Sequence, residues 1–328
     1  MGPADRSLGL VHPERDRHQP CPGLRPASRT RWRPTRRHRP RAGVSMKPGG
    51  AEACMKRPHW HALLISSCAL AACAHSPASE RARADLAAGA MVQLPGGWFR
   101  MQRGSGTFGE TPTYVQVSPF LLDRTEVTVA AYRECVQAGR CTPAWETVTW
   151  EWARAADHDA WSRFCNQDRA DRSEHPVNCV DWGQAKSYCA FAGKRLPTEE
   201  EWEWAARNGP EATPYPWGVA PPAGQPCWNG EGNDAGRGRR DGTCAAGSHA
   251  SDATAARVLE LGGGVSEWTS SETVIFADSR GRGGTTVKVY RGGGWSHQDP
   301  ARVSTASRTP EFPRRREAWL GFRCASDP

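Results

Sequence analysis

Apolar positions along this chain fall into short patterns, none sustained for long. Val129, Tyr132 and Val136 recur three and four apart, the spacing of a helix with one buried face. Thr128 suits the N-cap of that helix and Gly139 its stop. A second helix is predicted in DWGQAKSYCAFAGK, where Asp181 and Gln184 stand in capping-box spacing and Gly193 ends the run. A third follows Pro197, with Thr198 and Glu201 in the same spacing, acids in its first turn, and Asn208-Gly209 as its stop. Elsewhere, YVQVSPFLLD and TTVKVYRGGGW are short apolar runs bounded by Gly or Pro and read as short strands. No internal repeat is visible.

A different pattern lies upstream. After Met55, the pair Lys56-Arg57 precedes an apolar run from Ala62 to Ala72 that ends in LAAC. This reads as a secretory signal, too short to span a bilayer. It resembles a bacterial lipoprotein signal (55–73), whose final cysteine, here Cys73, becomes the lipidated first residue. The expected location is therefore the bacterial cell envelope, periplasm-facing or at the cell surface, with the membrane reached through the lipid. Residues 74–90 read as a tether. Residues 1–54 are expected to be disordered or to lie upstream of the true start, since 1–45 hold eleven Arg, no Lys and seven Pro.

Charge narrows the partners. The formal charge of +8 is carried wholly by residues 1–45, while from Cys73 onward 29 Lys and Arg face 31 Asp and Glu. Nucleic acid is thus not an expected partner of the exported chain. With 34 Gly, 26 Pro and 15 Trp, residues 91–328 read as one loop-rich α+β domain whose core is Trp wedged between loops. Its eight cysteines argue for four disulfides in an oxidising compartment, with 105 pairings open. There is no C-x-x-C after Cys73, and only His158, His175, His249 and His297 lie in the domain, so zinc-ribbon and two-His iron sites are unsupported.

The stretch RGGGWSHQDPARVSTASR (291–308) invites a phosphate-loop reading, but Asp299-Pro300 follows it and no GK[ST] occurs. Its neighbours point elsewhere. MVQLPGGWFRMQRGSG, HPVNCVDWGQAKSYCAFAGKRLPTEEEWEWAARNG with YPWG, LGGGVSEWTSS, RGGGW and LGFRCA appear in that order. Together they resemble the formylglycine-generating enzyme, or sulfatase-modifying factor, family over essentially all of 91–328. The resemblance implies a compact, loop-rich α+β fold with little regular structure, distantly related to C-type lectins and often stabilised by calcium. It also implies a Cys189–Cys324 disulfide. The other pairs are then expected to be Cys227 with Cys244, Cys165 with Cys179, and Cys135 with Cys141.

The family's enzyme oxidises a substrate cysteine using two of its own to hold copper(I), a soft ion that prefers thiolates. Those two sit about five residues apart just after the motif matching RGGGW. Here that place reads SHQDPARVSTASR, and no cysteine occurs between Cys244 and Cys324. Copper is therefore not expected, and no catalytic residue carries over. Trp295, His297, Arg302 and Arg308 become candidates for a binding cleft that would favour an acidic or carbonyl-bearing chain. For calcium, the resemblance suggests Asn229 and Asp241 at one ion and Glu267 at another, although Gly264 replaces the asparagine usual in that turn. The favoured reading is an exported, lipid-anchored binding or assembly module for an envelope protein, peptide or glycan. The alternative is an enzyme with divergent, oxidoreductase-type chemistry on this scaffold, and the third reading is an authentic sulfatase maturase.

Overall fold

The computed structural model describes residues 90–102, 113–148, 155–230, 240–276 and 282–328. The signal, Cys73 and the tether lie outside them. Pro95-Gly96 splits the first apolar stretch into β1 (Met91–Leu94) and β2 (Gly97–Met101). These belong to different sheets. β1 pairs antiparallel with β4 (Phe120–Asp123), which also pairs with β9 (Ala325–Ser326), so the chain's end closes on its first sheet. β2 forms a two-stranded sheet with β3 (Thr113–Val117). The third sheet holds β5 (Ser266–Ile275), β6 (Thr285–Arg291), β7 (Arg308–Glu311) and β8 (Leu320–Gly321) in the order β7-β6-β5-β8, with β8 parallel to β5.

The expected helices form where their caps place them. α1 (Val129–Gln137) begins at Thr128, whose hydroxyl accepts the Ala131 N–H at 3.2 Å, and it buries Val129, Tyr132 and Cys135. A further helix, α2 (Ala155–Ser162), was not predicted; none of its residues is buried, so no apolar period marks it. α3 (Trp182–Phe191) and α4 (Glu199–Ala206) both open with complete capping boxes, Asp181 with Gln184 and Thr198 with Glu201. These reciprocal bonds satisfy N–H groups that a helix start leaves orphaned.

Tryptophan fills the core as the composition suggests. Trp202, Trp228, Trp268 and Trp295 are buried, and each indole N–H finds an acceptor: Glu267, Ala223 O, Val180 O and Ala318 O, respectively. Four disulfides join Cys135–Cys141, Cys165–Cys179, Cys189–Cys324 and Cys227–Cys244, the expected set. Cys189–Cys324 fastens α3 to the residue before β9 across 135 positions of sequence. The result is a mixed α/β domain of short helices and small sheets bound together by loops.

Candidate functional site

β6 delivers Arg291 into the core, where its fully buried guanidinium bonds to Glu203 and to the Thr305 carbonyl. The chain then reverses at Gly292, with φ +77° and the Trp202 ring so close that a Cβ would sit 2.8 Å from it. Glycine is the residue that meets both demands. Trp295 follows, 2% exposed, its backbone N–H on Gly264 O and its indole on Ala318 O, both at 2.8 Å. Asp299 caps the 3-10 turn Pro300–Val303 by accepting the Ala301 N–H at 2.9 Å, and β7 begins at Arg308. The glycine-rich stretch closes the fold around two tryptophans.

Of the cleft residues expected from sequence, two stay near the surface. His297 is half-buried; its Nδ1 accepts the Gly294 N–H at 2.8 Å and its ring lies 6.2 Å from that of Trp319. Burial first, then the Arg302 charge, pushes its pKa down to about 4, and an Nδ1 that accepts a hydrogen bond cannot also carry a proton. Arg302 is exposed, with Nη1 3.3 Å from the Thr309 hydroxyl. Arg308 is a correction. Its side chain is 5% exposed and locked on Glu199 of α4, Nε at 2.7 Å and Nη2 at 3.2 Å, so its charge is satisfied inside the fold. Trp295 is likewise a core residue rather than a cleft wall.

The sequence did not single out two further buried residues, Tyr290 and Glu317. Buried Tyr290 feels the charges of both Arg302 and Glu317. Glu317 is 2% exposed, its Oε1 2.5 Å from Arg315 Nη2, while its Oε2 is buried without a hydrogen-bond partner. Burial pushes this carboxyl up to about 7 against the lowering effect of Arg315. A lone Glu after three arginines carries no periodic or motif signal, so only the fold reveals it.

The residues expected at calcium differ in their surroundings. Asn229 is buried with its Oδ1 accepting the Arg240 N–H at 3.1 Å, whereas Asp241 is exposed. Glu267 is buried, with both oxygens on Arg323 at 2.8 Å and Oε2 also taking the Trp202 indole N–H at 2.8 Å. One lone pair remains on its Oε1. Next to it, Glu126 is buried with one oxygen on the Val265 N–H and Oε2 without a partner. Burial and then the Glu260 charge raise the Glu126 pKa well above the carboxylate range. Gly264 is explained by the same contact: at φ +75°, its Cβ would stand 2.1 Å from Glu126 Oε1. Among the described residues, the compact ligand group of other chemistry is Cys227, Cys244 and His249, whose two sulfurs are joined in a disulfide.

Three small sheets, short capped helices and a glycine loop folded onto buried tryptophans define a sulfatase-modifying-factor scaffold. The chain belongs to this family: residues 76–328 match the Sulfatase-modifying factor enzyme 1-like domain. It is 32% identical over 296 residues to the formylglycine-generating enzyme of Thermomonospora curvata, covering 76% of this chain and 97% of that protein. It is 33% identical over 281 residues to the inactive C-alpha-formylglycine-generating enzyme 2 of Bos taurus, covering 72% and 87%. Among solved structures, PvdO from Pseudomonas aeruginosa superposes with a TM-score of 0.54 at 24% identity, over 73% of this chain and 94% of that one.

Proposed function

We propose that this chain is a binding or assembly module on the sulfatase-modifying scaffold, exported and lipid-anchored at Cys73, without formylglycine-generating activity. One observation carries the catalytic half: every cysteine among the described residues is in a disulfide, and the loop after RGGGW offers His297 and Arg302 instead of thiols. A neutral imidazole and a guanidinium do not replace two thiolates for a soft copper(I) ion. A competitive copper(I) titration tests this: no stoichiometric copper is expected, and one tightly held copper per chain would refute it. The lectin-like ancestry implied by the sequence suits a recognition role for an envelope protein, peptide or glycan. Among the described residues no helix is long and apolar enough to cross a membrane. The proposed attachment, by acyl chains on Cys73, rests on the LAAC box that ends at Cys73, and two or more such chains hold far better than one. Mass spectrometry of the N-terminal peptide of the native protein reads this directly, and an unmodified Cys73 would remove the anchor.

Calcium forms part of the same proposal. The unpartnered Glu126 Oε2 and the spare lone pair of Glu267 are hard oxygen donors in a cluster with more carboxylates than cations, which fits a calcium ion. When bound, the ion would neutralise that excess charge; the residues themselves only hold it and brace the β5 turn. The Asn229 and Asp241 pair receives no comparable support.

Glu317 favours the second reading, an enzyme with divergent chemistry. A buried carboxyl pushed up to about 7, held by Arg315 and with its charge felt by Tyr290, is suited to move a proton at neutral pH. Turnover of an envelope extract that is lost in Glu317→Gln, with folding intact, would decide for it over binding alone.

A further inference from the structure

We propose that the Cys227–Cys244 bridge is a thiol–disulfide exchange centre, which takes two electrons from the paired thiols of a partner protein. Of the eight bridged cysteines, seven are buried and Cys244 is half-buried, so its sulfur is the one a thiolate can reach. Two side chains are set against that sulfur. Arg240 Nη1 lies 2.7 Å from Cys244 Sγ, and His249 Nε2 lies 3.9 Å from it. Both are held by bonds of their own. Arg240 donates from Nε to the Trp228 carbonyl at 3.0 Å and from its backbone N–H to Asn229 Oδ1 at 3.1 Å, which ties the guanidinium to the segment that follows Cys227. The backbone N–H groups of Gly247 and His249 donate to the side-chain oxygens of buried Glu260 at 2.7 and 3.1 Å, and His249 Nδ1 lies 3.1 Å from Ser248 Oγ. With the Nδ1 proton on that hydroxyl, the Nε2 lone pair faces the bridge.

A bridge that only ties two loops gains little from such neighbours, because a disulfide sulfur is uncharged and a weak acceptor. A guanidinium gains most where the sulfur becomes a thiolate. The His249 ring, within 4.8 Å of both sulfurs, takes at Nε2 the proton of the partner's first thiol. The thiolate so formed attacks Cys244 Sγ. The bond to Cys227 breaks, and Cys227 leaves with the electron pair and receives the proton from His249. The partner's second thiol, its proton lost to solvent, then attacks the partner's own sulfur in the mixed bridge, and Cys244 leaves as the thiolate that faces Arg240. The partner ends as a disulfide, and this chain as a Cys227 thiol and a Cys244 thiolate, so two electrons have moved. A single thiol cannot complete the exchange, because Cys227 attacks the mixed bridge and expels it. The fold survives this reduction: the bridge closes 17 positions of sequence, while Cys189–Cys324, with both residues buried, still fastens the domain across 135. This activity goes beyond the binding reading and does not depend on it.

Equilibrating the full folded chain with graded mixtures of reduced and oxidised dithiothreitol, then quenching, alkylating in denaturant and mapping the peptides, tests it. Cys227 and Cys244 should be alkylated together while the other six cysteines stay bridged and the near-UV circular dichroism of the fold persists. Arg240→Gln should shift the midpoint about tenfold towards the disulfide, about 30 mV for two electrons. His249→Gln should slow the reduction about tenfold or more and leave that midpoint in place, a split that a merely structural role for the two side chains would not produce. Resistance of the bridge until all four open on unfolding, earlier opening of another pair, or an unchanged midpoint in Arg240→Gln would each overturn the proposal. The alkylation pattern of the parent chain decides the matter even if a variant fails to fold. None of these outcomes bears on the copper result, or on the non-catalytic reading that rests on it.

Discussion

His297 lies in the loop that follows RGGGW, and its own hydrogen bond defines what it can do there. Because it is held neutral, with a pKa near 4 against about 6.5 in an unfolded chain, it contributes stability above pH 6.5. As pH falls from 6.5 through 4, the unfolded chain takes up a proton that the folded imidazole refuses, and that stability is lost. Unfolding temperatures measured from pH 8 to 4 should therefore fall less steeply for His297→Gln than for the parent; parallel curves would show that the buried acceptor role is wrong. Trp295 is a simpler case. Truncation to alanine empties a site among Trp161, Phe164 and Ala318 and should cost about 3–5 kcal/mol in denaturant unfolding. A loss below about 1 kcal/mol would mean the site collapses around the missing ring.

α4 shows where reading by pattern succeeds and where it stops. Its cap, its start and its stop were legible because they depend on residues within four positions of one another. Its acids were legible only as charges that suit a helix N-terminus. In the fold, Glu199 holds Arg308, Glu201 holds Arg195, and Glu203 holds Arg207 and Arg291. The Glu199–Arg308 pair spans 109 positions, a distance over which no local period operates. Hence Arg308 looked like a cleft residue, while α2, with no buried face, left no mark at all. Breaking this buried pair by Arg308→Ala should cost about 3–5 kcal/mol, because the buried Glu199 carboxylate is left with only the longer 3.9 Å contact to Arg291. Arg302→Ala, at an exposed position, should leave the unfolding midpoint unchanged within about 0.5 kcal/mol. Equal effects of the two would contradict the separation drawn between them.

At the scale of the whole molecule, order depends on links between distant loops. Cys189–Cys324 closes 135 residues, and its removal by Cys189→Ala with Cys324→Ala should cost up to about 5 kcal/mol on a chain-entropy argument. Denaturant unfolding of that double variant checks the figure, and an unchanged midpoint would place the constraint elsewhere. Added calcium should raise the unfolding temperature of the parent but not of Glu126→Gln, if the carboxylate excess near Glu267 holds the ion. A rise of the same size in both would exclude Glu126 as a ligand. The scaffold was readable from sequence because its glycines, tryptophans and cysteines answer to its tight turns and cross-links, as Gly292 and Cys189 show. Its surface was not, since exposure of Trp98 or burial of Glu317 is settled only when strands and loops meet. The account turns on a loop that keeps the family's glycines while lacking its thiols. Incubating the full chain with copper(I), oxygen and a Cys-x-Pro-x-Arg peptide, and following the peptide by mass spectrometry, tests this most directly: the cysteine should remain unoxidised, and formylglycine in its place would contradict the account.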